Sequence, residues 1–333
     1  MPTLADPQVP RLWREAWHTA LYGPDGFYRR PEGPAGHFLT AAHDDLGPLL
    51  AEAVAALARA SECTTVVDLG CGRGELLTAL AQQRSDLHLV GVDVIDRPAS
   101  LPADITWWRS SGGAELPDAL DGLTDTLVVA NEWLDVVPCT VAEVDRRGVL
   151  RQVLVDPSGA ETLGRPIGAA DAAWASRWWP TTTPGERVEI GADRDLAWAR
   201  LLARIDSGLA VAIDYGHTVQ SRPSTGTLTG YAVGTLVPPR PDGSCDLTAH
   251  VALDSLDQDE RLSQREALDR FGVRAPRPPH DLARTDPGRY LHAVARAGAL
   301  GLLRHPDGLG AFQWVVAKAD HRPGSPLTTN GSE

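Results

Sequence analysis

Val66-Val67-Asp68-Leu69-Gly70-Cys71-Gly72-Arg73-Gly74 is the stretch on which the fold turns. An unbroken apolar run starting at Thr64 meets an aspartate, and glycines then fill alternate positions. A short continuous apolar run that ends in glycines reads as a strand buried on both faces. Leu76, Leu77, Leu80 and Ala81 follow at helical spacing, so the glycines turn a strand into a helix. Glycine suits such a turn because the backbone must bend tightly and because a side chain would block a ligand lying over it.

The details of the loop separate two cofactor classes. A dinucleotide fingerprint, G-x-G-x-x-G, would need a third glycine where Glu75 stands, and a carboxylate at that helix start opposes a pyrophosphate. The D-x-G-x-G-x-G form instead resembles the first motif of class I S-adenosylmethionine methyltransferases. On that reading Asp68 meets the methionyl ammonium, directly or through water, and Gly70, Gly72 and Gly74 admit the cofactor's backbone. Asp93 closes a second strand, Leu87-His88-Leu89-Val90-Gly91-Val92-Asp93, where a carboxylate can accept both ribose hydroxyls. The bland alternative is a structural turn, with Asp93 solvated at a strand end.

Working outward, amphipathic helices are predicted at Leu12 to Leu21 and Leu46 to Ala58, and strands at 105–108 and 127–131. Alternating strand and helix predict an α/β fold, Rossmann-like, with a mostly parallel sheet and helices on both faces. The region 140–192 breaks the rhythm. It suggests a hairpin around Arg146-Arg147-Gly148, followed by interrupting prolines at 157, 166, 180 and 184. A helix at 193–206, a buried strand at 209–214, a helix at 290–299 and a strand at 311–319 resume the pattern. The organisation read from this is a segment covering the site (1–60), a cofactor-binding half (61–139), an inserted substrate-shaping region (140–192), the remainder of the core (193–319) with a long loop insertion at 216–260, and a disordered tail (320–333). Trp174 and Trp178, four apart, read as the packed face of a helix.

Further polar groups are expected at the sheet's carboxyl edge, where open parallel sheets bind ligands. Asn131-Glu132-Trp133-Leu134-Asp135 follows the strand at 127–131 directly. Asn131 would face the cofactor, and Glu132 and Asp135 would meet on one face of a short helical turn. Two carboxylates there could hold a cationic nucleophile or take its departing proton; equally, Asn131 and Asp135 could cap local backbone amides. Asp214 ends another strand at the same edge, Tyr215 could pack against a substrate, and Asp246 lies in the long low-pattern stretch. Such residues often bond only their own turn.

Composition narrows the field. A formal charge of -13 over 333 residues argues against a general nucleic-acid grip. Cys63, Cys71, Cys139 and Cys245 show no metal-ligand spacing and read as free thiols of a reducing compartment, so no metal site is expected and a cytoplasmic location is. Neither a secretory leader nor a membrane-length apolar run is visible.

Several ordered blocks then carry a family resemblance: Tyr22-Gly23-Pro24-Asp25-Gly26-Phe27-Tyr28, Gly36-His37-Phe38-Leu39-Thr40, the glycine loop, Ala130 to Pro138, Ile213-Asp214-Tyr215-Gly216-His217, Gly230-Tyr231, and Asp246-Leu247-Thr248-Ala249-His250-Val251. Together, over roughly 15–318, they resemble the MidA-type methyltransferases, whose mitochondrial members assist assembly of the respiratory NADH dehydrogenase. The resemblance implies S-adenosyl-L-methionine as cofactor and arginine N-methylation on a protein partner, such as a respiratory-chain subunit. Under it Glu132, Asp135 and Asp214 would be catalytic. Gly36 and Thr40 would join the cofactor residues, and His37, Tyr215 and Asp246 would contact substrate. This chain departs from the family at His37, which replaces an aspartate, and at Ala41-Ala42-His43, which replaces a segment carrying a proline and a glutamate. Those histidines could be ligands, bases or surface groups. The departure keeps a second reading open, a cofactor-binding assembly factor with little or no methyl transfer. A nucleotide-linked oxidoreductase is disfavoured by Glu75.

Overall fold

The computed structural model describes residues 9–30, 41–42 and 45–319. In chain order the elements begin β1 (Arg11–Leu12), α1 (Trp13–Tyr22), α2 (Gly47–Ala60), β2 (Thr65–Leu69), α3 (Glu75–Gln83), β3 (His88–Asp93), β4 (Thr106–Arg109) and β5 (Thr126–Asn131). They continue with β6 (Thr140–Val144), β7 (Leu150–Val155), β8 (Glu161–Pro166), α4 (Ala169–Trp178), β9 (Arg187–Ile190), α5 (Ala192–Leu202) and β10 (Gly208–Asp214). Five short strands follow: β11 (Gly216–His217), β12 (Thr229–Ala232), β13 (Thr235–Val237), β14 (Asp246–Thr248) and β15 (Val251–Ala252). The last are β16 (Glu260–Ser263), α6 (Gln264–Arg270), α7 (His280–Thr285), α8 (Pro287–Leu303) and β17 (Gln313–Lys318).

The central sheet runs β16-β17-β10-β5-β2-β3-β4. Its β10, β5, β2, β3 and β4 are parallel, whereas β17 is antiparallel to both neighbours. Period-two alternation divides the core. Val66, Leu127, Val129, Val211 and Ile213 pack one face against α2, α3, α6 and α8. Val67, Leu69, Val128, Ala130 and Ala212 pack the other against Ala197, Trp198 and Leu201 of α5. Both faces being covered explains why the strands read as continuous apolar runs. Chain order reverses between β2 and β5, so their carboxyl ends diverge and open a crevice.

Beside this core, β6 and β7 form the hairpin expected at 146–148 within a five-stranded sheet that β1, β8 and β9 complete. Trp174 of α4 is buried and Trp178 packs partly against the same cluster, as a helix's inner face does. The stretch 216–260, expected as loop, instead carries β11 to β15, and β13-β12-β14 make a small antiparallel sheet. Its strands are only two to four residues long, too short for periodicity to mark. Gly36, His37, Thr40, His43 and the 320–333 tail lie outside the described residues.

Candidate active site

Beyond the carboxyl ends of β2, β3 and β5 lies a cavity of about 650 Å³, within the size range of small-molecule sites. Three of its walls come from successive crossover turns. Gly70, Gly72 and Gly74 all take left-handed backbone, with φ of 74°, 58° and 82°. Gly70 and Gly72 line the cavity; Gly74 does not. A Cβ at Gly74 would fall 2.5 Å from Leu101 Cδ1. The third glycine thus starts α3 in left-handed backbone, and its Cβ position faces Leu101.

Asp93 lines the same cavity and is fixed by backbone amides. Its Oδ2 accepts Gly72 N–H at 2.8 Å, and its Oδ1 accepts Val94 and Ile95 N–H at 2.7 and 3.2 Å. These bonds lock the β3 carboxylate to the glycine loop and leave lone pairs for ribose hydroxyls. Burial outweighs them and holds its carboxyl up at about 6. Asp68 is buried beneath the loop, where burial and the charges of Glu75 and Asp93 push its carboxyl to about 8. A carboxyl in that state favours a cationic partner.

The loop after β5 shapes the opposite wall. Glu132 takes φ +53°, rare outside glycine and concentrated at functional sites. Residues 132–137 form an irregular turn, so the short helix that would have paired Glu132 with Asp135 is absent. Both side chains still reach the cavity, as does Asn131. Asn131 Nδ2 donates to Glu132 Oε1 at 3.2 Å. Burial, then the charge of Asp135, raises the Glu132 carboxyl to about 8. Asp135 is buried, and burial likewise raises its carboxyl, against hydrogen bonds from Thr248 and Tyr215 and the charge of Arg194. Its Oδ2 accepts the Thr248 hydroxyl at 2.6 Å.

Asp246, on β14, also lines the cavity and accepts the Tyr28 hydroxyl at 2.8 Å. Burial, with Asp135 and Glu132 nearby, raises it well above the usual carboxylate range. Tyr22 and Tyr28 complete this wall, and a Cβ at Gly112 would fall 2.3 Å from the Tyr22 ring.

Two sequence expectations are displaced. Asp214 is fully buried behind the wall. Its Oδ2 accepts Leu134 and Asp135 N–H at 3.1 Å each, and its Oδ1 accepts Tyr215 N–H at 3.0 Å. It holds the loop that carries Asp135 and does not line the cavity. Tyr215 is likewise absent from the lining. Its hydroxyl bonds Thr248 and its ring packs edge-on against His250 and Phe312. Both residues end up behind Asp135 because β10 is central and its end is covered by β11, β14 and β15.

Sequence reasoning also passed over Arg194. Buried on α5, it donates to the carbonyls of Val137, Ala249, His250 and Asp135, at 2.7–3.0 Å, and lies over the Trp17 ring. It thereby ties the two loops that bear Asp135 and Thr248. Flanked by Asp193 and Asp195, it looks like ordinary surface charge in the sequence, and no local signal marks it.

Among the described residues, the unpaired buried side-chain atoms at this cavity are Asn131 Oδ1 and Asp135 Oδ1. Both are acceptors, and a ligand that donates N–H or O–H could satisfy them. Residues 46–270 match a family model described as "Putative S-adenosyl-L-methionine-dependent methyltransferase". The chain belongs to that family. Its cofactor is S-adenosyl-L-methionine, and the resemblance to MidA-type enzymes stands.

Two solved structures from Burkholderia thailandensis share the fold. One, described as a "likely methyl transferase" bound to S-adenosyl-homocysteine, is 24% identical, with 92% of this chain and 87% of the other covered at a TM-score of 0.71. A native structure described as an uncharacterized protein of the same superfamily is 23% identical, with 94% and 90% covered at a TM-score of 0.73. No curated protein matches the chain.

The residues present fit the methyltransferase cofactor. Asp68 would meet its ammonium, Gly70 and Gly72 its backbone and Asp93 its ribose. Among the described residues no helix is long and apolar enough to cross a membrane.

Proposed function

We propose that this methyltransferase acts on a cationic nitrogen of a protein side chain, with arginine the acceptor that fits best. The observation that carries the reading is the wall formed by Glu132, Asp135 and Asp246, with Asp135 Oδ1 unpaired. Asp135 raises the carboxyls of both Glu132 and Asp246, Glu132 adds to the latter, and a cation relieves that cost. Arg194, a buried cation beside Asp135, gives its hydrogen bonds to backbone carbonyls rather than to the carboxylates. A planar guanidinium can donate to two carboxylates and turn its third nitrogen outward.

When bound, the cofactor supplies an electrophilic methyl for in-line displacement. Asp135 Oδ1 and Glu132 would hold two guanidinium edges and orient the remaining nitrogen. Glu132 would take the proton that this nitrogen loses as its bond to carbon forms. Asp246, braced by Tyr28, would fix the acceptor's approach, and Asp214 and Arg194 would keep the Asp135 loop rigid. The contribution is mainly alignment and exclusion of water. Respiratory-chain subunits are one class of partner that the family resemblance suggests.

Transfer of labelled methyl from the cofactor into cell lysate and into arginine-containing peptides tests this reading, with Glu132→Gln beside the unaltered protein. Turnover should fall by about 100-fold or more while cofactor affinity holds. Unchanged turnover would remove Glu132 from the chemistry, and label on a neutral oxygen acceptor would overturn the cationic reading. Cofactor binding with no labelled species at all would favour the assembly-factor alternative.

A further inference from the structure

The hairpin β12–β13 stands directly beside the acceptor wall. In the small sheet Asp246 of β14 pairs with Tyr231 of β12, which pairs in turn with Leu236 of β13. Directly opposed residues of antiparallel strands share a face. One row therefore leads from a buried carboxylate in the cavity, past a half-buried tyrosine, to a leucine that is 65% exposed. The charges of Asp135, Asp246 and Glu132 all reach the Tyr231 phenol, so the row starts at the acid cluster. Strand spacing places Leu236 about 10 Å from Asp246, close to where the backbone of a long acceptor side chain would lie.

Three more features mark the hairpin as built for contact. Its two-residue turn is Val233-Gly234, with φ of 47° and 74°. Such turns favour Asn-Gly or Asp-Gly, and a β-branched residue in left-handed backbone is an outlier of the kind found at functional sites. Val233 is also 79% exposed, so the turn presents a second apolar group outward. Finally, β13 has β12 as its one strand neighbour among the described residues, which leaves an edge able to pair with an extended chain.

We infer that the β12–β13 hairpin is a docking finger for an extended segment of the protein substrate, and that Leu236 and Val233 read an apolar residue close to the methyl-accepting side chain. This rests on the proposed cationic acceptor. It adds that acceptors are selected by an apolar neighbour and not by charge alone. Continuity of the row with the acceptor wall is what commits the finger to substrate.

Arginine-centred synthetic peptides test the inference, with flanking positions set to leucine or to serine and labelled methyl transfer read as kcat/KM. The unaltered protein should prefer leucine-flanked peptides by about tenfold or more. Leu236→Ser, and separately Val233→Asn, which suits the turn and removes the apolar group, should bring that ratio close to one. Cofactor affinity by calorimetry and the melting temperature serve as checks on folding. An unchanged ratio in both variants overturns the finger. A Leu236→Ser protein that changes its sedimentation behaviour while keeping its preference assigns the hairpin to contacts between copies of this chain, and also overturns it. Peptides that are methylated without flank preference defeat the finger alone. If no arginine peptide is methylated while the cofactor binds, the acceptor reading fails and the finger falls with it.

Discussion

The Thr248 hydroxyl donates a 2.6 Å hydrogen bond to Asp135 Oδ2, joining β14 to the loop after β5 across 113 residues of sequence. Oδ2 is thereby taken, and Oδ1 is buried with no partner among the described residues. Thr248→Val keeps the shape and deletes this donor, so the carboxylate is held less firmly, by Tyr215 and the Val136 amide. Small misplacements of a reacting group cost on the order of 100-fold, and a fall of about 10- to 100-fold in kcat is expected with cofactor affinity intact. Thr248→Ser should restore most of it. Single-turnover transfer with each variant decides, and a serine variant as slow as the valine one would contradict the orienting role.

The raised carboxyls make stability depend on pH with a definite sign. Asp68 and Glu132 sit at about 8 in the folded chain, against about 4 when unfolded. The folded state therefore holds their protons more tightly. The stability this gives is complete below about pH 4 and is lost as pH rises through 8. Between pH 5.5 and 8.5 the ligand-free protein should lose melting temperature. Asp68→Asn and Glu132→Gln should each flatten that slope, which differential scanning calorimetry measures directly.

The same carboxyl predicts a proton count. If Asp68 meets the cofactor's ammonium, binding must ionise it, because an opposite charge lowers a carboxyl that burial had raised. Titration at pH 7 in buffers of different ionisation enthalpy should show protons released with each cofactor bound. Asp68→Asn should abolish that release and weaken binding. Release that persists in the variant would place the ammonium elsewhere.

Legibility in the sequence followed the range of the interactions. The strands flanking Asp68 and Asp93 and the helix after Gly74 were readable because a sheet covered on both faces imposes long apolar runs. Asp246 was readable as a polar group in a low-pattern stretch and Glu132 as a carboxylate directly after the strand at 127–131, and both line the cavity. Asp214 was correctly placed at the strand edge but assigned to the wrong side of the wall, since the chains that cover β10 come from 216–252 and leave no periodic trace. Arg194 was illegible for the opposite reason. Its hydrogen bonds all run to backbone carbonyls, which carry no side-chain signature.

Arg194 accordingly gives a prediction about folding as much as activity. Replacing it with methionine keeps the stem over Trp17 but removes the donor from the carbonyls of Val137, Ala249 and His250, while the Asp135 carbonyl keeps Ala249 N–H. Each buried unsatisfied group costs about 1–3 kcal/mol, and partial rescue by water leaves a net loss of about 3 kcal/mol. Urea unfolding should show a lower midpoint with the slope unchanged, and turnover should fall because the loops bearing Asp135 and Thr248 separate. Arg194→Lys can renew at most three of these bonds and should fall between the two.

Gly74 separates a structural glycine from a ligand-facing one. At φ 82° any side chain is strained, and its Cβ would strike Leu101 Cδ1 at 2.5 Å. Alanine there costs about 1–2 kcal/mol for the left-handed backbone, plus whatever Leu101 must yield. Gly70 also has a left-handed φ, of 74°, but its Cβ would meet the Trp133 side chain at 3.6 Å, inside the cavity lining. Both alanine variants should therefore melt earlier. Gly70→Ala should also weaken cofactor binding by about tenfold or more, in line with steric intrusion on a close backbone approach. Gly74→Ala, measured by calorimetry below its melting point, should bind nearly as the unaltered protein does. Equal loss of affinity in both would return Gly74 to the ligand-binding role that its spacing first suggested.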